Sequence, residues 1–369
     1  MEKRPLGKTG LSPTIVGFGG FHLIETASED ASYLLNTYLD RGGNYIETAA
    51  SYGDGNSERK IGRAVSKRRG DYILATKCGV RDAAGAEKII DRSLANLQTD
   101  HVDILFMHGV QTKAELDTIL GPGGEMEAAE KARKAGKVRF IAISGHGRQP
   151  VLLDAVDRYP FDLIMTGFNY FDRFNFPDTE GRLLKRCLEK GVGVLAMKAV
   201  ADGYLYRSWE PAIRYSLSLP VASLVLGMNN REMLERDLKL AESFKPLSER
   251  EREELFTTAP ELGDYVCRQC GKCAQNGFDP QPIFLLEGLY DRQMDDRRVG
   301  DTAQYALRER LKFWFSQKEE ARSEYAASAV KVDPSKDYSK LSAACPYGID
   351  IDRKLKIAHD KLSSNGYIF

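Results

Sequence analysis

Eight short apolar runs recur along the first 245 residues, and an amphipathic segment follows most of them. The runs are TIVGFG (14–19), YIETA (45–49), YILATK (72–77), VDILFMH (102–108), VRFIAIS (138–144), LIMTG (163–167), VGVLAMK (192–198) and ASLVLG (222–227). Most are continuous rather than alternating, as expected of strands buried on both faces. Between them lie helical patterns such as ASYLLNTYLDRG (31–42), SERKIGRAVSKR (57–68), AEKIIDRSLANL (86–97) and LLKRCLEKG (183–191). Several end in Gly, where a C-cap is wanted. Eight such alternations predict a parallel (β/α)8 barrel, a fold of about 250 residues. The competing fold, an open doubly wound sheet, expects G-x-G-x-x-G after its first strand, and GFGGFH (17–22) does not supply it.

After residue 245 the texture changes. SFKPLSEREREELF is a charged linker and helix, a helical pattern runs over 302–322, a polar stretch covers 331–340, and no strand series appears. The chain therefore divides into a barrel over 1–245 and a small, mostly helical domain over 246–369. Lys plus Arg and Asp plus Glu both count 53, so bulk charge gives no case for nucleic acid or an anionic membrane as partner. The N-terminal MEKRPLGKTG has no apolar signal region, and no apolar run approaches the roughly 18 residues of a membrane span. A cytoplasmic protein is expected. In that reducing setting, clustered cysteines read as metal ligands rather than disulfides.

The second domain holds CRQCGKC (267–273), three of the six cysteines. Two-cluster iron–sulfur proteins carry two runs of C-x2-C-x2-C-x3-C-P, and the last Cys of each run ligates the other run's cluster. Here Cys267, Cys270 and Cys273 match the first run, whose fourth position is Gly277. Cys345-Pro346 matches the end of the second run, whose earlier positions are Ser335, Tyr338 and Leu341. One complete ligand set remains: Cys267, Cys270, Cys273 and Cys345. It predicts one [4Fe-4S] cluster, with a four-cysteine zinc site as the alternative. Cys187 lies on an amphipathic segment and reads as core, and Cys78 has no partner in the pattern.

In a (β/α)8 barrel the chemistry sits at the C-terminal strand ends. Those ends supply Glu47, Tyr52 in the following loop, Lys77 and His108. A carboxylate, a phenol, an ammonium and an imidazole on one rim can protonate a carbonyl oxygen. A Lys77 ammonium is expected to lower the Tyr52 phenol, with Glu47 holding the lysine and His108 orienting the substrate oxygen. Taken singly, a rim Lys or Glu is often only a surface charge and a strand-end His only a packed core residue. Four in register are harder to obtain by chance.

The stretches NYIETAASYGDGNSE (44–58), LATKCG (74–79), DILFMHG (103–109), GKVRFIAISGH (136–146) and SLVLGMNNREMLERDL (223–238) resemble the aldo-keto reductases, in order over residues 1–245. The chain is similar in particular to the branch with a C-terminal ferredoxin-like extension. The resemblance implies a metal-free barrel using NADPH or NADH, with Tyr52 as general acid, Lys77 as its partner and His108 as the substrate-orienting residue. The usual fourth member is Asp; here it is Glu47. The resemblance also places the cofactor at Ser144, Asn169, Met197 and Lys198, and its adenosine-phosphate end at Gly227, Met228, Asn229, Glu235 and Asp237. Many NADPH users have a basic residue where this chain has Asn229; Arg231 or Lys198 could take its place.

These features imply hydride transfer to a small-molecule aldehyde, ketone or sugar carbonyl. A second reading is a nicotinamide-binding electron-transfer or redox-sensing module whose cluster serves a partner protein. One cluster takes one electron while hydride transfer moves two, and no flavin motif is evident to split the pair. A third is a binding protein with a degenerate site, suggested by Glu47 and opposed by Tyr52, Lys77 and His108. Phe21, His22, Tyr204, Tyr206 and Trp209 suggest an aromatic-lined pocket.

Overall fold

The computed structural model describes residues 1–146, 150–275, 277–292 and 318–363. Eight parallel strands close into a barrel in sequence order: β1 (Val16–Gly19), β2 (Tyr45–Glu47), β3 (Ile73–Cys78), β4 (Val102–Met107), β5 (Val138–Ser144), β6 (Leu163–Gly167), β7 (Gly193–Met197) and β8 (Ser223–Leu226), which pairs back to β1. All eight fall within the apolar runs, apart from one residue at the end of β3.

The barrel interior is a buried cluster that includes Tyr45, Ile73, Ala75, Ile104, Phe106, Ala142, Leu163, Met165 and Leu195. Side chains alternate across a strand, so the next residue of the same parity points the same way, one step nearer the C-terminal rim. In β2, β3 and β5 that residue is Glu47, Lys77 and Ser144, and just past β4 it is His108. At the start of β4, buried Asp103 accepts from Arg69, Arg139 and the Leu74 amide, which ties β3, β4 and β5 together.

Nine helices of this unit are α1 (Ser28–Asp40), α2 (Asn56–Val65), α3 (Ala83–Leu97), α4 (Lys113–Leu120), α5 (Glu125–Lys134), α6 (Pro150–Arg158), α7 (Lys185–Lys190), α8 (Trp209–Ser218) and α9 (Arg231–Glu242). Each forms for a local reason. On α1 the buried residues Ala31, Leu34, Leu35, Tyr38 and Leu39 repeat at helical spacing. Asp82 caps α3, Thr112 and Glu115 form a capping box on α4, and Asn230 caps α9.

Compact units do not follow a single cut in the sequence. The first comprises Met1–Asn169, Asp178–Val200 and Trp209–Pro246. The second comprises Tyr170–Pro177, Ala201–Ser208 and Leu247–Phe369. Two short segments that follow β6 and β7 in sequence thus cluster with the C-terminal part of the chain.

Further helices of the second unit are α10 (Glu249–Thr258), α11 (Gln281–Asp291), α12 (Lys318–Ala327) and α13 (Ile351–Ser363). The helical pattern read over 302–322 lies outside the described residues up to 317; residues 318–322 open α12. Ile283, Phe284, Leu289, Tyr325, Leu355 and Ala358 belong to this unit's core, with Cys273 buried among them. Glu287 of α11 is 1% exposed and takes Lys354 at 2.5 Å and Lys361 at 2.9 Å, both from α13. Among the described residues no strand follows β8, and no helix is long and apolar enough to cross a membrane.

Candidate active site

Lys77 is the hub of the rim and is 2% exposed. Its Nζ donates to the Glu47 carboxylate, to the Thr48 carbonyl at 3.0 Å and to the Tyr52 hydroxyl at 2.9 Å. Tyr52 follows β2 in a tight turn in which Gly53, Asp54 and Gly55 all have positive φ, and α2 begins directly after it. Its ring packs edge-on against Phe21 at 4.9 Å and against His108 at 5.7 Å. The His108 amide donates to the Cys78 carbonyl at 2.7 Å, and its Nδ1 lies 3.3 Å from Ser51 Oγ. All four residues expected at the rim therefore meet around one point.

Three neighbours were not anticipated. Ser51 touches the His108 ring, Arg81 donates to the His108 carbonyl at 2.7 Å, and His146 contributes to the charge environment of His108. Ser51 directly precedes Tyr52, and His146 lies two residues past the end of β5. Nothing in the hydrophobic periodicity marks any of the three.

Electrostatics at the rim run opposite to the expectation for Tyr52. Burial pushes its phenol above the ordinary value of 10, and Lys77 does not bring it down. The cause is desolvation first, with the neighbouring Tyr45 phenol acting in the same direction. Burial pushes Lys77 well below its ordinary value. His108 is driven well below 6.5 by burial first, then by Lys77, His146 and Arg81. The phenol is held as a protonated donor and the imidazole as a neutral one.

The residues expected to hold a cofactor have mixed surroundings. Ser144 is buried; its hydroxyl accepts from the Gly109 amide at 3.1 Å and donates to the Met107 carbonyl at 3.3 Å. Asn169 is buried and donates to the Lys198 carbonyl at 3.0 Å. Met197 ends β7, and Lys198 follows with φ +61°. Gly227 ends the run of β8 against His22; a Cβ there would sit 2.2 Å from the imidazole. Met228 is buried, Asn229 is half-buried, and the Asn230 cap opens α9. Glu235 is exposed and pairs with Arg41 at 3.0 Å. Asp237 is buried beside Leu234 and Leu238 on the inner face of α9, pairs with Arg236 at 2.9 Å, and burial raises its carboxyl. Of the five aromatic residues read as a pocket lining, Phe21, His22 and Trp209 fall in the first unit and Tyr204 and Tyr206 in the second.

In the second unit Cys267, Cys270, Cys273 and Cys345 line a single pocket. Gln269 and Gly271 take positive φ within the loop that brings the first three together. Arg268 also lines the pocket and is 6% exposed. Its Nε donates to the Phe256 carbonyl, its Nη1 donates to the Leu262 and Val266 carbonyls, and its Nη2 is buried with no hydrogen-bond partner. Among the described residues no group of three or more His, Cys, Asp or Glu could hold a metal ion as the side chains stand. Cys78 and Cys187 are both buried, apart from this pocket.

A family model described as the Aldo/keto reductase family matches residues 15–211, more than half of the chain. L-Galactose dehydrogenase of Arabidopsis thaliana is 34% identical over 229 residues, covering 58% of this chain and 70% of the relative. The uncharacterized oxidoreductase YqkF of Bacillus subtilis is 32% identical over 217 residues, covering 56% and 67%. Among solved structures, the holo form of aldo-keto reductase AKR11C1 from Bacillus halodurans aligns with a TM-score of 0.59 at 26% identity, over 69% of this chain and 95% of that one. The chain belongs to the aldo/keto reductase family and is an NAD(P)-dependent oxidoreductase.

Proposed function

We propose that the protein interconverts a small aldehyde, ketone or sugar carbonyl with its alcohol at the Tyr52 rim, and that it carries one [4Fe-4S] cluster in the cysteine pocket. The observation that carries the first part is the Lys77 hub. Because Lys77 donates to the Tyr52 oxygen, the phenol's own proton is left to point at a substrate. Burial keeps that proton on the phenol, which suits a general acid. Neutral His108 orients the substrate oxygen by a hydrogen bond. When bound, a reduced nicotinamide supplies the hydride that the carbonyl carbon receives. As the carbonyl oxygen takes the Tyr52 proton, Lys77 stabilises the phenolate left behind, and Glu47 keeps Lys77 in place.

The nicotinamide end fits the buried polar pair Ser144 and Asn169 with Met197, and the phosphate end fits Lys198, Gly227 and Met228 with Asn229 and the capped start of α9. Arg231, exposed at that start, favours NADPH over NADH. Glu235, which pairs with Arg41, and buried Asp237 on α9 complete the adenosine-phosphate end of this reading.

For the cluster, the supporting observation is that Cys345 joins the three cysteines of the distant CRQCGKC loop around one pocket. The fit has a second element: the orphaned Arg268 Nη2 is a cationic donor that an anionic cluster's sulfur would satisfy. A zinc ion would need all four sulfurs about 2.3 Å from one point. The electron-transfer alternative gains no observation in its favour.

The test is anaerobic consumption of NADPH and of NADH against a panel of aldehydes, ketones and sugars, with iron and acid-labile sulfide measured on the same sample. Turnover with about four irons and four sulfides per chain is expected. No turnover with any carbonyl would sink the first part, and zinc in place of iron the second.

A further inference from the structure

Arg81 lies in the loop after β3, and the start of α5 fixes its main chain. The Arg81 carbonyl accepts from the Glu125 amide at 2.9 Å, and Asp82 pairs with Gly124 in a single antiparallel bridge. Its guanidinium makes three contacts. Nη1 donates to the buried Glu125 carboxylate at 3.1 Å, and Nη2 reaches Glu115 of α4 at 3.4 Å. The same Nη2 donates to the main-chain oxygen of His108 at 2.7 Å. Glu115 is itself fixed, since it accepts from the amides of Gln111 and Thr112. A planar guanidinium carries direction as well as charge, so two carboxylates aim its donor at one peptide oxygen.

That oxygen belongs to a rim residue that stands one position beyond β4, outside the strand itself. Gly109 after it takes a φ of +63° and donates its amide to Ser144 Oγ at 3.1 Å. The peptide unit between His108 and Gly109 is therefore gripped at both ends, its oxygen by Arg81 and its amide by Ser144. The imidazole has a longer contact, with Nδ1 3.3 Å from Ser51 Oγ, and the Tyr52 ring packs edge-on at 5.7 Å. Main-chain placement thus does much to decide where the ring points. Arg81 also stands with Lys77 and His146 among the positive groups that, after burial, hold the imidazole well below 6.5.

We propose that Arg81 is a positioning residue for substrate: held by Glu125 and Glu115, it fixes the main chain of His108 and so the direction of the imidazole that hydrogen-bonds the oxygen of the carbonyl compound. The proposal rests on the reading of the rim as a carbonyl site. Loss of Arg81 should show in the carbonyl compound and not in the cofactor, because none of its three side-chain contacts is a residue read as cofactor-binding.

The experiment compares Arg81→Met and Arg81→Lys with the unaltered protein, using one carbonyl substrate that turns over. Arg81→Met should raise KM about 10-fold or more while the Kd for nicotinamide stays within about 2-fold. The acid limb of its kcat/KM profile should move up toward 6.5, since a positive neighbour of His108 has gone. NMR titration of the His108 imidazole reads the same shift without substrate. Arg81→Lys keeps the charge but loses the fork, so its acid limb should stay in place while KM rises part of the way. Should Arg81→Met not fold, Arg81→Met combined with Glu125→Gln, which leaves no buried carboxylate without its partner, is measured in the same way. An unchanged KM in folded Arg81→Met overturns the proposal. A raised KM with the acid limb unmoved also overturns it, because Arg81 would then not act through His108. So does a nicotinamide Kd that rises with KM, which marks general loosening. Absence of turnover in the unaltered protein would instead count against the reductase reading itself, and an unmoved His108 titration in Arg81→Met would then still overturn the role given to Arg81.

Discussion

The barrel rim and the cysteine pocket each bring four side chains to one place, and they do so by different means. At the rim, Glu47, Lys77 and His108 end or follow strands whose register is set by paired neighbours on both sides, and they share parity with the core beneath them. Their positions are fixed by the backbone, and Lys77 is satisfied by three partners within the protein. In the pocket, the cysteines lie on a loop and beside a one-turn helix, Ser339–Ser342, and a buried guanidinium nitrogen is left without a partner. A site built on strands is complete in the polypeptide alone. On the proposed reading, the site built on loops is completed only by its ligand.

That contrast can be broken or sharpened, beginning with the largest effect. On the proposed iron–sulfur reading, Cys345→Ser should abolish iron binding and the visible absorbance that a cluster gives, and lower the amide protection of α11 and α13, while β3 and β4 keep theirs. Equal loss in the strands would show that the barrel is not self-sufficient. Next, Glu287→Gln leaves Lys354 buried without its carboxylate and should cost about 3 kcal/mol. Hydrogen exchange in the second unit reads that cost directly, and a change below about 1 kcal/mol would mean the ion pair is dispensable there. At the rim, Glu47→Asp shortens the side chain that reaches Lys77 but keeps the charge, so kcat should change less than about 10-fold; steady-state kinetics at saturating cofactor tests this. The smallest effect concerns pH. Burial and nearby positive groups hold His108 well below 6.5, so it is neutral above that value and protonates only in more acid solution. The kcat/KM for reduction should stay level as pH falls through 6.5 and drop only below it. A break at about 6.5 would show His108 titrating like an exposed imidazole.

How much of this could be read from the chain alone follows the same division. The strands were legible because a run buried on both faces is apolar throughout, and Lys77 and His108 because each closes or follows such a run with a polar residue. That Asp237 is buried was legible: Leu234, Leu238 and Ala241 mark the inner face of α9, and Asp237 lies on it. The direction of the Tyr52 shift was not legible, since it depends on how deeply a loop residue is buried. Nor could a cut at 245 anticipate that the segments after β6 and β7 cluster with the C-terminal sequence. That Cys267, Cys270, Cys273 and Cys345 line one pocket was legible, because the spacing of the first three and the Cys-Pro of the fourth pick them out even where the backbone around them is irregular.

The central claim is that the Tyr52 proton serves the reaction at a preformed rim. It is tested most directly by Tyr52→Phe, with turnover and nicotinamide binding measured on the same preparation. The account predicts a fall in kcat of about 10²–10⁴-fold with the nicotinamide Kd within about 2-fold of the unaltered protein. Full activity in Tyr52→Phe would contradict it and move the proton donor to another group.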